Sequence, residues 1–163
     1  MQIPVVQNIL NANDQIALQN GQLLHEHGIC AVNVMASPGG GKTSLILRTI
    51  DALRDRLRIG VIEGDVASNV DADRVASRNV PVVQINTGGQ CHLDAPMIQR
   101  ALAQLPLDHL DLILIENVGN LICPVSFKLG EDLNVMIASV PEGDDKPYKY
   151  PGIFLAVDAV VMN

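Results

Sequence analysis

Residues 30–50 read Cys-Ala-Val-Asn-Val-Met-Ala-Ser-Pro-Gly-Gly-Gly-Lys-Thr-Ser-Leu-Ile-Leu-Arg-Thr-Ile. The apolar run Cys30 to Met35 has strand character, the spacing after Thr43 is helical, and a glycine turn joins them. That order suits polyphosphates: glycines let backbone N–H groups curl around phosphate oxygens, and the helix that follows presents unpaired N–H groups at its positive end. In such a loop Ser37, Gly39, Gly40, Gly41, Lys42, Thr43 and Ser44 surround the nucleotide phosphates. Lys42 reaches the β and γ phosphates and Thr43 places its hydroxyl on Mg²⁺. Ala36 stands where the usual pattern has its first glycine, but that position ends the strand and needs no positive φ.

Working outward, strand and helix alternate. The pattern predicts strands at 30–35, 58–63, 81–86, 111–116, 133–140 and 156–162, and helices at 43–57, about 70–78 and 94–104. Apolar residues such as Val5, Ile9, Ile16 and Leu24 recur at helical spacing ahead of the first strand, so an N-terminal helical segment is expected over about 1–28. The expected fold class is α/β: a P-loop NTPase with a mostly parallel sheet, helices on both faces and ligands at the carboxyl ends of the strands. The 163 residues are read as a single domain. Residues 141–151 form the only long polar connection late in the chain, and it follows a strand's carboxyl end.

Composition narrows the function classes. A net charge of −7 argues against a nucleic-acid backbone or an anionic membrane as main partner. No apolar stretch is long enough to cross a bilayer, and the start carries no targeting pattern, so a cytoplasmic protein is expected. Three cysteines suit thiol or metal chemistry better than a disulfide framework.

Two acids follow apolar strands where a Mg²⁺-nucleotide site needs anionic oxygen: Asp65 and Glu116. An isolated acid at such a place more often caps its loop; beside a phosphate loop the balance reverses. Glu63 reads equally as a solvated neighbour and is left out. Gly119, three residues past Glu116, resembles the acidic-x-x-Gly switch of GTPases, whose glycine N–H meets the γ phosphate. Lys42, Asp65, Glu116 and Gly119 are therefore the candidate catalytic set, with Thr43, Asp65 and Glu116 on Mg²⁺. A second constellation is Cys91-His92, before a helix that Asp94 caps, together with Cys123; these donors suit Zn²⁺ or Ni²⁺. Buried thiols are common, so Cys30 inside the first strand is assigned to the core. Cys91 and Cys123 fall in loops on the nucleotide side, where metal or thiol chemistry has a use for them. His25, His27 and His109 read as solvated or turn residues, and Glu142 to Lys146 as a solvated loop.

With those residues in hand, the chain resembles the HypB family, the GTPases that deliver nickel to nickel-iron hydrogenase. Family-like stretches include Asn11 to Asp14, Ser37 to Ser44, Ile62 to Asp65, Asp71 to Arg74, Gln84 to Thr87, Cys91 to Ala95, Ile115 to Pro124 and Glu142 to Pro151. The resemblance implies a GTP-driven switch in which Cys91, His92 and Cys123 hold Ni²⁺ or Zn²⁺ near a nucleotide-dependent homodimer interface. It also implies two partners: a small zinc-containing nickel-insertion accessory protein and the hydrogenase large subunit.

Departures shape the expectations. Ser68 stands where the family usually has threonine, and no amino-terminal cysteine motif or histidine-rich tract is present. Family members continue as Asn-Lys-x-Asp where this chain stops at Asn163, which is counted with the nucleotide-binding residues. The guanine-reading aspartate and the elements after it are missing, so the chain is expected to be a fragment or a truncated product that binds GTP and ATP weakly and alike. Alternatives are a catalytically impaired metal-binding or scaffold protein and the related urease nickel GTPase, whose motif resembles Cys-Pro-His where Cys91 here precedes His92 directly. A small-molecule kinase would want an arginine-rich lid, and ATPases with a second loop lysine carry it where Ser37 stands.

Overall fold

A computed structural model describes residues 5–66 and 70–163; Met1 to Pro4 of the expected helical segment, and Ser68, lie outside the described residues. Along the strand Leu112–Glu116 (β4), Ile113 and Ile115 enter one core while Leu112 and Leu114 enter another. Successive strand side chains point to opposite faces, so a strand covered on both sides needs an unbroken apolar run. The other strands are Cys30–Met35 (β1), Ile59–Asp65 (β2), Val82–Asn86 (β3), Leu133–Ala138 (β5) and Ala159–Met162 (β6). All pair in parallel, in the order β3-β2-β4-β1-β5-β6.

Helices cover both faces, as the alternation requires. Val5–Glu26 (α1) and Ala95–Leu102 (α4) pack over Ala31, Ile62, Ile113 and Ile115. Lys42–Leu53 (α2) and Val70–Ala76 (α3) pack over Val34, Val61, Leu112 and Leu114. A smaller cluster of Met35, Leu121, Met136 and Ile153 lies beneath Pro151–Ala156 (α6), which follows the one-turn helix Lys146–Lys149 (α5). Among the described residues no helix is long and apolar enough to cross a membrane.

Two expectations are corrected. The connection at 141–158 is largely helical: Pro147 and Pro151 occupy first turns, where a missing N–H costs nothing and the fixed φ favours a helix. The final strand therefore begins at Ala159, and Ala156 belongs to α6. Cys30 is exposed, because it is the first residue of β1 and lies at the sheet's amino end beside Asp132.

The amino end follows one rule. Asp111, Asp132 and Asp158 each precede a strand and accept a backbone N–H where a neighbouring strand starts: Arg58 N, Ala31 N and Asn134 N, at 2.8, 2.8 and 2.7 Å. Carboxylates thereby satisfy donors that the parallel ladder leaves unpaired at that edge.

Candidate functional site

The phosphate loop spans 36–41 between β1 and α2. Gly39 and Gly41 take φ of 74° and 97°, a left-handed conformation that a Cβ would strain, and Gly41 caps α2. Lys42 and Thr43 follow and are buried. Thr43 Oγ1 donates to Glu116 Oε1 at 3.1 Å, and Lys42 Nζ lies 3.9 Å from the same oxygen. Ser44 is exposed and, with Gly41, Arg48 and Asn163, lines a cavity of about 260 Å³. Asn163 Nδ2 donates to Gly40 O at 3.2 Å, tying the end of β6 to the loop. Ser37 and Pro38 border a second cavity of about 200 Å³ with Gly119, Asn120 and Lys146.

Asp65 ends β2 half-buried, its carboxylate accepting from Val66 N. Glu63, read from sequence as a solvated neighbour, is instead 2% exposed and sits opposite Glu116 in the sheet register. The strand period offered that signal: Val61, Glu63 and Asp65 share the face that α2 covers. Gly119 packs against the loop, and a Cβ there would fall 2.9 Å from Pro38 Cα.

Cys91 and His92 precede α4, whose cap Asp94 accepts from Met97 N at 2.9 Å. Cys123 opens a 3-10 turn at Cys123–Ser126 after β4. The fold brings the three together: one donor atom from each lies within 4.8 Å of the others, with Cys91 Sγ 3.7 Å from His92 Nδ1. A hydrogen bond with the Cys123 thiol, followed by burial, raises the Cys91 pKa. Burial lowers that of His92, whose ring stacks on Phe127 at 3.9 Å between centroids. Burial thus favours the neutral ring, the form that binds a metal. Two sulfurs and a nitrogen fit Zn²⁺ or Ni²⁺ and leave a position open.

Sequence reading missed what anchors these loops. On α1, Asn13, Ala17, Asn20 and Leu24 form one buried stripe. Asn13 accepts from Ala95 N and donates to Lys128 O, both at 2.8 Å; Asn20 Nδ2 donates to Ala95 O and Leu129 O at 3.0 and 2.9 Å. One helix therefore fastens the segment after His92 and the segment after Cys123. The signal was the seven-residue spacing of two asparagines on an apolar face. The remaining histidines take no part: His25 is exposed, His27 pairs with Asp108 at 3.1 Å, and His109 closes the Leu107–His109 turn.

Comparison with known proteins identifies the family. The CobW/HypB/UreG nucleotide-binding domain matches residues 30–160. The hydrogenase maturation factor HypB of Rhizobium leguminosarum bv. viciae is 47% identical over 161 residues, 99% of this chain and 54% of that protein. The probable hydrogenase maturation factor HypB of Methanocaldococcus jannaschii is 45% identical over 161 residues, 99% of this chain and 73% of its own. Among solved structures, HypB from Archaeoglobus fulgidus superposes with a TM-score of 0.87 at 46% identity, covering 94% of this chain and 74% of that one. HypB from Helicobacter pylori in complex with nickel gives 0.87 at 42%, covering 93% and 71%. The chain spans about half the length of several curated relatives, 54% of the first.

Proposed function

The chain belongs to the HypB branch of the CobW/HypB/UreG family, and from that premise we propose that it is a metal-binding GTPase coupling GTP binding and hydrolysis to nickel delivery during nickel-iron hydrogenase maturation. One observation carries the reading. The segment 116–123 begins at Glu116, hydrogen-bonded to Thr43 of the phosphate loop, and ends at Cys123 beside Cys91 and His92. A nucleotide site and a soft-donor cluster thus share one short loop.

In this proposal residues 1–163 act as one domain. The glycine loop and Lys42 bind and orient the polyphosphate, and the N–H of Gly119 meets the γ phosphate. Thr43, Asp65 and Glu116 would hold Mg²⁺, with Glu63 buried beside them; the ion would neutralise charge on the β and γ oxygens. In the present arrangement Glu116 engages both Thr43 and Lys42, so nucleotide binding must turn Lys42 toward phosphate and free the Thr43 hydroxyl for Mg²⁺. Ser44 and Asn163 border the cavity beside the loop on the side away from the metal cluster. Cys91, His92 and Cys123 hold Ni²⁺ or Zn²⁺, as supported by the soft donor set and by the nickel bound to the Helicobacter pylori relative. The proposed setting is cytoplasmic, with a nucleotide-dependent homodimer, a zinc-containing accessory protein and the hydrogenase large subunit as partners.

Titration of the chain with GTP and then Ni²⁺ tests the reading. The expected result is saturable, Mg²⁺-dependent GTP binding and thiolate-to-nickel absorption bands that require Cys91 and Cys123. Nickel bound only through oxygen and nitrogen, or GTP binding indifferent to Mg²⁺, overturns it. Linkage further requires that GTP and nickel change each other's affinity by one common factor.

A further inference from the structure

Three donors on two loops make a useful metal site only if the loops are held in register before the ion arrives. His92 lies between two peptide groups, that of Cys91–His92 and that of His92–Leu93. Each is hydrogen-bonded to an asparagine of the loop that carries Cys123. Asn120 Nδ2 donates to Cys91 O at 3.2 Å, and Asn117 Oδ1 accepts from Leu93 N at 3.1 Å. We infer that Asn117 and Asn120 are positioning residues that fix Cys91 and His92 relative to Cys123; the inference rests on reading those three side chains as a metal centre.

The two amides are themselves fixed. Asn117 is fully buried, and its Nδ2 donates to Asn33 Oδ1 at 3.1 Å, while Asn33 Nδ2 donates to Asn134 Oδ1 at 2.9 Å. This chain of amides runs from β5 through β1 to the end of β4. A carboxamide has one donor end and one acceptor end, so spending Nδ2 on Asn33 leaves Oδ1 aimed at Leu93 N. The same oxygen takes Val118 N at 2.9 Å, which holds the loop's first turn. Asn120 acts at the other end of the loop: its Oδ1 accepts from Ile122 N at 2.9 Å, one residue before Cys123. Each asparagine therefore fixes its own loop with one bond and the Cys91-His92 loop with another. Outer-shell groups of this kind commonly change metal affinity by about 10- to 100-fold.

The test uses the whole chain with Ni²⁺ and Zn²⁺ as probes, competed against a chromophoric chelator. Asn120→Ala is the deciding variant, because its side chain is half-buried and outside the hydrophobic core, so its loss opens no core cavity. It is expected to raise both dissociation constants about 10-fold and to weaken or shift the thiolate-to-nickel bands. Metal-free nucleotide affinity and melting temperature should stay at wild-type values, which separates positioning from a general loss of structure. Asn117→Ala, if it folds, should weaken metal binding further. Ile122→Ala, an exposed neighbour in the same loop, should leave metal affinity within twofold. Wild-type affinity and bands in Asn120→Ala overturn the inference. An equal loss in Ile122→Ala overturns it as well, since any disturbance of the loop would then suffice. A wild-type chain without thiolate bands removes the metal reading itself, and the inference falls with it.

Discussion

The two ends of one sheet solve the same problem with different chemistry. At the amino ends, aspartates 111, 132 and 158 accept the first N–H groups of neighbouring strands, and Asp111 adds an ion pair with Arg58. Those bonds tie the start of one strand to the start of its neighbour. At the carboxyl ends, the polar groups are neutral amides and buried acids that link one loop to the next: Glu116 to Thr43, Asn117 to Leu93, Asn120 to Cys91, Asn163 to Gly40. An ionised aspartate before a strand can only accept hydrogen bonds. An amide, donor at one end and acceptor at the other, can join loops that must move together.

If the ends differ in this way, the largest effects belong to the carboxyl end. Lys42→Ala removes a buried cation 3.9 Å from Glu116. It should lower GTP turnover by about 100-fold or more, the cost of deleting one electrostatic donor at a developing charge. Steady-state phosphate release measures this, and turnover within tenfold of wild type would remove Lys42 from the site.

His92→Ala comes next and should weaken nickel binding by about 100-fold, the upper limit of an outer-shell loss or beyond. Its pH dependence has a sign. Burial against Phe127 lowers the His92 pKa, so protonation, and loss of the imidazole as donor, is displaced below the usual histidine range near 6.5. Nickel affinity must fall as pH falls, since protons compete for every donor. Phe127→Ala, by wetting the ring, should move that fall to higher pH. An unchanged profile would show that the stacking partner does not set the histidine's environment.

Gly119→Ala acts on a smaller scale. The added methyl meets Pro38 backbone at 2.9 Å, so either the phosphate loop or the 116–123 loop must give way. Nucleotide affinity should drop about tenfold, roughly the 1–3 kcal/mol typical of overpacking. Titration with GDP and with a slowly hydrolysed GTP analogue checks it; equal affinity for wild type and variant would mean that the loops slide past each other freely.

How much of this the sequence discloses differs between the ends as well. Strand periodicity and the glycine turn placed β1, α2 and the loop correctly, because both signals are local. Cys91, His92 and Cys123 were nameable together, and the fold brings them within 4.8 Å. What stayed hidden depends on tertiary partners. Strand period puts Glu63 on the face of Val61 and Asp65, but that it lies opposite Glu116 is known only from the register. Asn13 and Asn20 interrupt an apolar stripe, and only the segments at 95 and 128–129 explain them. The glycine and clustered charges of 141–151 suggested a loop, because the helix-starting role of Pro147 and Pro151 becomes visible only with the packing of Ile153 and Phe154. Cys30 misled because β1 is apolar overall, whereas its first residue is exposed at the sheet's amino end.

The smallest effect is expected at the amino end. Arg58 holds Asp111 through Nη2 to Oδ1 at 2.6 Å and Nε to Oδ2 at 2.9 Å, while the Arg58 N–H reaches Oδ2 at 2.8 Å. The side-chain hydrogen bonds from Arg58, then its backbone bond, lower the Asp111 pKa from 3.8 to about 2. A carboxyl depressed in the folded state stabilises the fold above its unfolded pKa, and that contribution is lost as pH falls from 3.8 through about 2. The pair is solvent-screened, so the effect is small. Asp111→Asn keeps an acceptor for the Arg58 N–H but removes the charge, and should lower the melting temperature at pH 7 by about 2 °C or less. The gap should close as the pH approaches 2, and nickel and nucleotide affinities should not move. A melting difference that persists unchanged at pH 2 would mean the carboxylate acts through shape and not charge. A shift in nickel or GTP affinity beyond twofold would mean that the amino end communicates with the loops at the opposite end of the sheet.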